Sequence, residues 1–190
     1  MMKRISLTAA IFAAASAPAF AHLNPAEHGS FMAGVSHPFF GADHILAMIA
    51  VGLWASQIGG RALIAVPAAF VGTMALGFVL AIAGFSLPFV EPAILASVIG
   101  LGLLVATAAR LPASASAAVV GAFALFHGYA HGGELGAAGA MQFGLGFLIA
   151  TATLHAIGVG AGLGLSRLGP TVTRVLGVVT ALGGAALVFG

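Results

Sequence analysis

Residues 37–57 read HPFFGADHILAMIAVGLWASQ, an apolar stretch that carries two histidines and an aspartate close to its start. A helix of about 20 predominantly apolar residues is long enough to cross the hydrocarbon core of a bilayer, which is about 30 Å thick. Ionisable side chains inside such a helix are costly and mark functional sites. The stretch therefore predicts a membrane span with a polar site inside it.

Five more apolar segments of similar length follow, separated by short runs of glycine, proline and arginine. The six predicted spans are 37–57, 62–84, 90–109, 112–131, 138–165 and 170–189. Pro38 falls near the start of the first span, where proline costs no helical hydrogen bond. No stretch remains for a separate soluble domain. We expect an all-α membrane protein, a bundle of six transmembrane helices over residues 22–190.

Charged residues make up only 5% of the 190-residue chain, against about a quarter in ordinary soluble domains. This shortage excludes an ordinary cytoplasmic enzyme and a nucleic-acid binder. The only lysine is Lys3, so the body of the chain cannot hold the lysine-containing loop that binds ATP in many transporters. Because the chain has no cysteine, disulfides and thiolate metal sites are excluded as well.

The first 21 residues, MMKRISLTAAIFAAASAPAFA, have the organisation of a secretory signal peptide. A basic start is followed by a short apolar stretch and by AFA at residues 19–21, a small-x-small cleavage signal. The alternative is an uncleaved first transmembrane helix, but the stretch is short for a span and Pro18 interrupts it. Cleavage predicts a mature chain that begins at His22, on the outer side of the membrane.

The loop charges predict how the six spans are oriented. If His22 emerges outside, the cytoplasmic loops hold every arginine that remains after cleavage, as the positive-inside rule requires. These arginines are Arg61, Arg110, Arg167 and Arg174, and the glutamates of the outer segments are Glu27, Glu91 and Glu134. The signal peptide and the loop charges independently predict one topology for a multi-pass membrane protein, with both mature termini on the outer side. We expect the bacterial inner membrane, which places those termini in the periplasm.

Histidines group at the outer ends of two predicted spans. His37 and His44 are seven residues apart, so a continuous helix places them on one face with His44 about 10 Å deeper. Asp43 lies beside His44. His127 and His131, four residues apart near the end of the fourth span, share a face and can hold one ion between them. The predicted topology brings both groups to the same membrane surface.

His155 is expected near the middle of the membrane, deeper than the other histidines, although taken alone it fits a packing role equally well. Imidazole and carboxylate ligands suit a divalent transition metal, and a transport path needs several partial sites at different depths. The predicted metal ligands are His37, Asp43, His44, His127, His131 and His155, with His22 as a further ligand through its free α-amine. We expect His28 at the surface and Trp54 against lipid or the membrane interface.

At these residues the chain resembles a known family. HPFFGADHILAM at residues 37–48 resembles the signature of the HupE/UreJ family of hydrogenase and urease accessory membrane proteins. HGYAH at 127–131 and ATATLHAIGVGAG at 150–162 are similar to further stretches of that family, in the same order. The resemblance implies a secondary permease for Ni²⁺, with Co²⁺ as an alternative cargo, that supplies a nickel enzyme such as hydrogenase or urease. It links the protein indirectly to the maturation of that enzyme.

The residues themselves predict a path for a divalent metal ion through the lipid bilayer, with no permanently bound cofactor, no ATP and no enzymatic activity. The alternative is a membrane-embedded zinc-dependent hydrolase, in which His127 and His131 join His37 or His44 around Zn²⁺ and Asp43 acts as a base. A third option is a metal-binding assembly partner that transports nothing. Homo-oligomerisation stays open.

Overall fold

A computed structural model describes residues 30–135 and 139–189, with the exception of the Glu134 side chain. Within these ranges the chain forms seven α-helices and a short 3₁₀ turn, and no strand. The helices are α1 (Phe31–Phe40), α2 (Ala42–Ile58), α3 (Ala62–Ile82), α4 (Val90–Thr107), α5 (Ala113–Leu135), α6 (Ala140–Leu165) and α7 (Pro170–Phe189), with the 3₁₀ turn at Ser166–Leu168. The predicted signal peptide, residues 1–21, lies outside the described residues.

Helices α3 to α7 are each long and apolar enough to cross a membrane. Their bounds agree with the last five predicted spans to within a few residues, and the all-α, multi-pass membrane architecture is confirmed. From α2 to α7 successive helices run in opposite directions, so the bundle has two ends. We call them the histidine end, where α2 and α4 begin, and the arginine end, where α3 and α7 begin.

The first predicted span is not one continuous helix. α1 ends at Phe40, α2 begins at Ala42, and their axes differ in direction by 81°. Gly41, a poor helix former, has extended backbone angles that end the first helix, and Asp43 in the first turn of α2 stabilises the new N-terminus. The predicted helix over 37–57 is therefore wrong, and Pro38 lies near the end of α1. Six spans result only if the bent pair is counted as one.

Glycines allow the helices to approach each other closely. The most extensive contacts join α3 to α5, α4 to α7, and α6 to both α1 and α2. A β-carbon at Gly128 of α5 would overlap the backbone of Met74 in α3, and one at Gly158 of α6 would lie 2.5 Å from the carbonyl oxygen of Ile49 in α2. In a membrane, where burial of apolar surface drives little association, such close packing holds helices together.

α2 is the central helix, with residues buried on every side over most of its length. Trp54 is fully buried within the bundle, so its predicted position against lipid is wrong. At the arginine end, three side-chain donors from α2 and α7 satisfy carbonyl groups at the end of α4. They are Trp54 Nε1 to Ala109 O (2.8 Å), Gln57 Nε2 to Val105 O (3.0 Å) and Arg174 Nε to Ala106 O (2.9 Å).

Gly158→Ala is expected to lower the stability of the protein by about 1–3 kcal/mol, because the new methyl group forces α6 away from α2. Gly160→Ala is the matched control, since a β-carbon there meets nothing within 4 Å and the change in helix propensity is the same. Thermal unfolding of the two purified variants in detergent measures the difference. Equal midpoints for both variants would contradict the packing argument.

Candidate metal site

Three histidines from three different helices converge at the histidine end of the bundle. One ring nitrogen from each of His37 (α1), His44 (α2) and His131 (α5) lies within 4.8 Å of the other two. His44 Nε2 is 2.7 Å from His131 Nε2, and the ring centre of His37 is 4.4 Å from that of His131. His44 and His131 are buried and His37 is half-buried. Nitrogens at this spacing can turn toward a single metal ion.

The bend at Gly41 creates this cluster. Because α1 turns back across the start of α2, the ring centres of His37 and His44 are only 5.3 Å apart. The predicted difference of about 10 Å in depth between these two residues is therefore wrong, since it assumed a continuous helix. The predicted meeting of the two histidine groups at one end of the bundle is confirmed.

Asp43 fixes the orientation of the His44 ring. His44 Nδ1 donates a hydrogen bond to Asp43 Oδ1 over 2.9 Å. A carboxylate on the far nitrogen is the usual support of a metal-binding histidine, because it sets the tautomer and makes the ligand more basic. In a neutral ring this bond leaves the lone pair on Nε2, the atom that faces His131.

A partly open cavity of about 610 Å³ gives access to the cluster from the histidine end. His37, His44 and His131 line it together with Asp43 and Glu91. The two carboxyl groups make the cavity attractive to a cation. Glu91 was expected only as a marker of the outer side. Glu91 lies in the first turn of α4, and α4 begins at the same end of the bundle as α2. Its position at the start of a predicted outer-end span is the signal in the sequence that could have placed it at this cavity.

His127 lies one turn from His131 on α5 and is fully buried. Its ring centre is 5.6 Å from that of His44, so it adjoins the three-histidine cluster without belonging to it. The hydrolase ligand set that requires both His127 and His131 therefore does not match the convergent group. His127 Nε2 lies 2.9 Å from the hydroxyl of Ser97 in α4.

His155 lies farther along the bundle, in the middle of α6. It is 1% exposed, and neither of its ring nitrogens has a hydrogen-bond partner in the described part of the chain. Phe70 of α3 contacts both deep histidines, with ring centres 5.7 Å from His127 and 4.9 Å from His155. The expected position of His155 apart from the three-histidine cluster is confirmed, and its depth in the membrane stays a prediction.

Aromatic side chains complete the surroundings of the cluster. The Phe147 ring of α6 is buried and lies 4.8 Å from the ring centre of His131, 5.9 Å from that of His44 and 6.1 Å from that of His37. Neither Phe147 nor Phe70 stood out in the sequence, since the chain has 14 phenylalanines. The predicted ligand His22 and the neighbouring His28 lie outside the described residues.

The sequence model of the HupE / UreJ protein family matches residues 10–187, nearly the whole chain. The chain belongs to the HupE/UreJ family. Among curated HupE/UreJ relatives, Protein HupE of Rhizobium leguminosarum bv. viciae is 48% identical over 192 aligned positions, which cover all of both chains. No solved structure gives a significant match. The family resemblance noted at residues 37–48 is thus confirmed.

Gly41→Ala is expected to weaken metal binding by about 10–100-fold, the usual cost of disturbing the support of a ligand. The φ of −83° at Gly41 suits any residue, but a β-carbon would lie 2.6 Å from His44 Nδ1 and 3.0 Å from Asp43 Oδ1. Titration calorimetry with Ni²⁺ on the purified protein measures the change. Gly72→Ala, with nothing within 4 Å, is the control. Equal affinities for both variants would refute this role of Gly41.

Proposed function

We propose that this protein is a secondary transporter that carries Ni²⁺, with Co²⁺ as an alternative cargo, across the inner membrane for a nickel enzyme such as hydrogenase or urease. Its membership of a family named after hydrogenase and urease accessory proteins supports the accessory role. The observation that carries the transport proposal is the convergence of His37, His44 and His131 beside a cavity at one end of a membrane-spanning bundle.

In the proposed topology, α1 and α2 together count as one span, six spans follow a cleaved signal peptide, and the histidine end faces the periplasm. The arginines favour this orientation, because Arg61, Arg110 and Arg167 all lie in connections at the opposite end of the bundle. A membrane potential that is negative inside then drives a divalent cation from the histidine end toward the arginine end. No nucleotide is needed.

The proposed path begins in the cavity, where Asp43 and Glu91 raise the local concentration of cations. The three imidazoles of the cluster then replace part of the ion's hydration shell. His127 and His155 offer nitrogen ligands farther inside, and the ring of Phe70 contacts both of them. Imidazoles are neutral ligands, and a path made of several partial sites holds an ion less firmly than one closed site, so the ion can move on.

A zinc-dependent hydrolase remains the alternative, because three convergent histidines beside an open cavity also fit a catalytic zinc ion. Two observations favour transport. Asp43 Oδ1 is hydrogen-bonded to His44, so this oxygen orients a ligand instead of acting as a base. His127 and His155 are buried beyond the cluster. A transport path needs further ligands there, whereas a hydrolase does not.

The direct test is uptake of radioactive Ni²⁺ into liposomes that contain the purified mature protein, under a potential negative inside. We expect His44→Ala to abolish uptake, because it removes a ligand from the cluster. Asp43→Asn is expected to lower the uptake rate by about 10–100-fold, because it weakens the support of that ligand. Gln142→Ala, an exposed polar residue of α6 near the same end, should leave uptake unchanged.

Two results would contradict these proposals. Uptake by the wild-type protein that is no faster than in empty liposomes would exclude transport, and Zn²⁺ that stays bound without crossing the membrane would then favour the hydrolase or the assembly partner. Normal uptake by the His44→Ala variant would exclude the three-histidine cluster as part of the path.

A further inference from the structure

Ser97 of α4 is fully buried, and its hydroxyl group lies between two partners. The oxygen is 2.6 Å from the carbonyl oxygen of Ile94 and 2.9 Å from His127 Nε2. A hydroxyl group has one proton to donate, and a carbonyl oxygen can only accept. The Ser97 proton therefore goes to Ile94, so the Ser97 oxygen must accept a hydrogen bond from His127. This chain of bonds places a proton on His127 Nε2.

The consequence is that the lone pair of a neutral His127 ring lies on Nδ1. This nitrogen is buried and has no hydrogen-bond partner within the described residues. A buried polar atom without a partner is rare, because it loses its bonds to water and gains none in return. Such an atom is explained if it binds a ligand that comes and goes.

The neighbouring His44 has the opposite arrangement. Its Nδ1 proton goes to Asp43, which leaves the lone pair on Nε2. The ring centres of His44 and His127 are 5.6 Å apart, so the two rings are neighbours. The hydrogen bonds to Asp43 and Ser97 hold these rings in opposite tautomers. The residues that hold them come from different helices, Asp43 from α2 and Ser97 from α4.

We propose that Ser97 is a positioning residue, which sets the tautomer and the orientation of His127 so that Nδ1 receives the metal ion passed inward from the three-histidine cluster. This inference rests on the proposed transport function and adds a step to it. Ser97 acts through His127, in the way that Asp43 acts through His44. The cluster captures the ion without Ser97, whereas inward transfer depends on it.

The kinetic test compares Ser97→Ala with the wild type in nickel uptake by liposomes. We expect a maximal rate about tenfold lower, the small end of the range for the loss of such a support, with an unchanged KM because the capturing cluster is intact. Ser116→Ala is the matched control. Ser116 is also fully buried, but among the described residues its hydroxyl bonds only to backbone carbonyls, so its loss should change neither parameter. An unchanged maximal rate for Ser97→Ala would overturn the proposal.

A spectroscopic test separates positioning from a general effect on folding. In protein with ¹⁵N-labelled histidine, the ring shifts of His127, assigned by their loss in His127→Gln, should show a proton on Nε2 in the wild type. Ser97→Ala should shift the population toward the other tautomer. A wild-type ring with its proton on Nδ1 would overturn the proposal whatever the uptake rate. Absence of nickel uptake by the wild type would instead overturn the transport function, while the ring shifts would still report the tautomer.

Discussion

The hydrogen bond between Asp43 and His44 is the interaction on which the rest of the site depends, and it exists only because of what happens at the preceding residue. Gly41 ends α1, so the carboxylate falls in the first turn of a new helix, where unpaired backbone N–H groups favour negative charge. The same glycine leaves open the space that the two side chains occupy. Gly41 therefore has two effects. The bend at this residue brings His37 to the cluster, and its missing side chain leaves room for the hydrogen bond between Asp43 and His44.

The packing of the bundle transmits this local geometry to the other ligands. Gly158 lets α6 lie against the backbone of α2, and Gly128 does the same for α5 against α3. His131 lies on α5 and Phe147 on α6, so the separation of the histidine rings is set by backbone contacts between rigid helices. Buried sites built in this way keep their geometry better than sites on loops. Each histidine of the three-histidine cluster lies on a helix of the described bundle.

The hydropathy of the sequence was sufficient for α3 to α7, because long apolar segments with polar connections have few alternatives in a membrane. Hydropathy did not reveal the break in the first span, because apolar residues lie on both sides of Gly41. An average over many residues hides a single glycine. The histidines and Asp43 were visible because ionisable residues in apolar segments are rare. Ser97 was not, because serines in helices commonly bond to their own backbone, and only the three-dimensional contact with His127 separates it from Ser116.

The three hydrogen bonds that tie α2 and α7 to the end of α4 have a mechanical consequence. Trp54 and Gln57 fix one end of α2, while its other end carries Asp43 and His44. α2 has 17 residues and is therefore about 25 Å long. A tilt of α2 about this tied end would move His44 farther than any residue nearer to Trp54 and Gln57. The two hydrogen bonds to the end of α4 therefore restrain the position of His44, although they lie at the opposite end of the bundle.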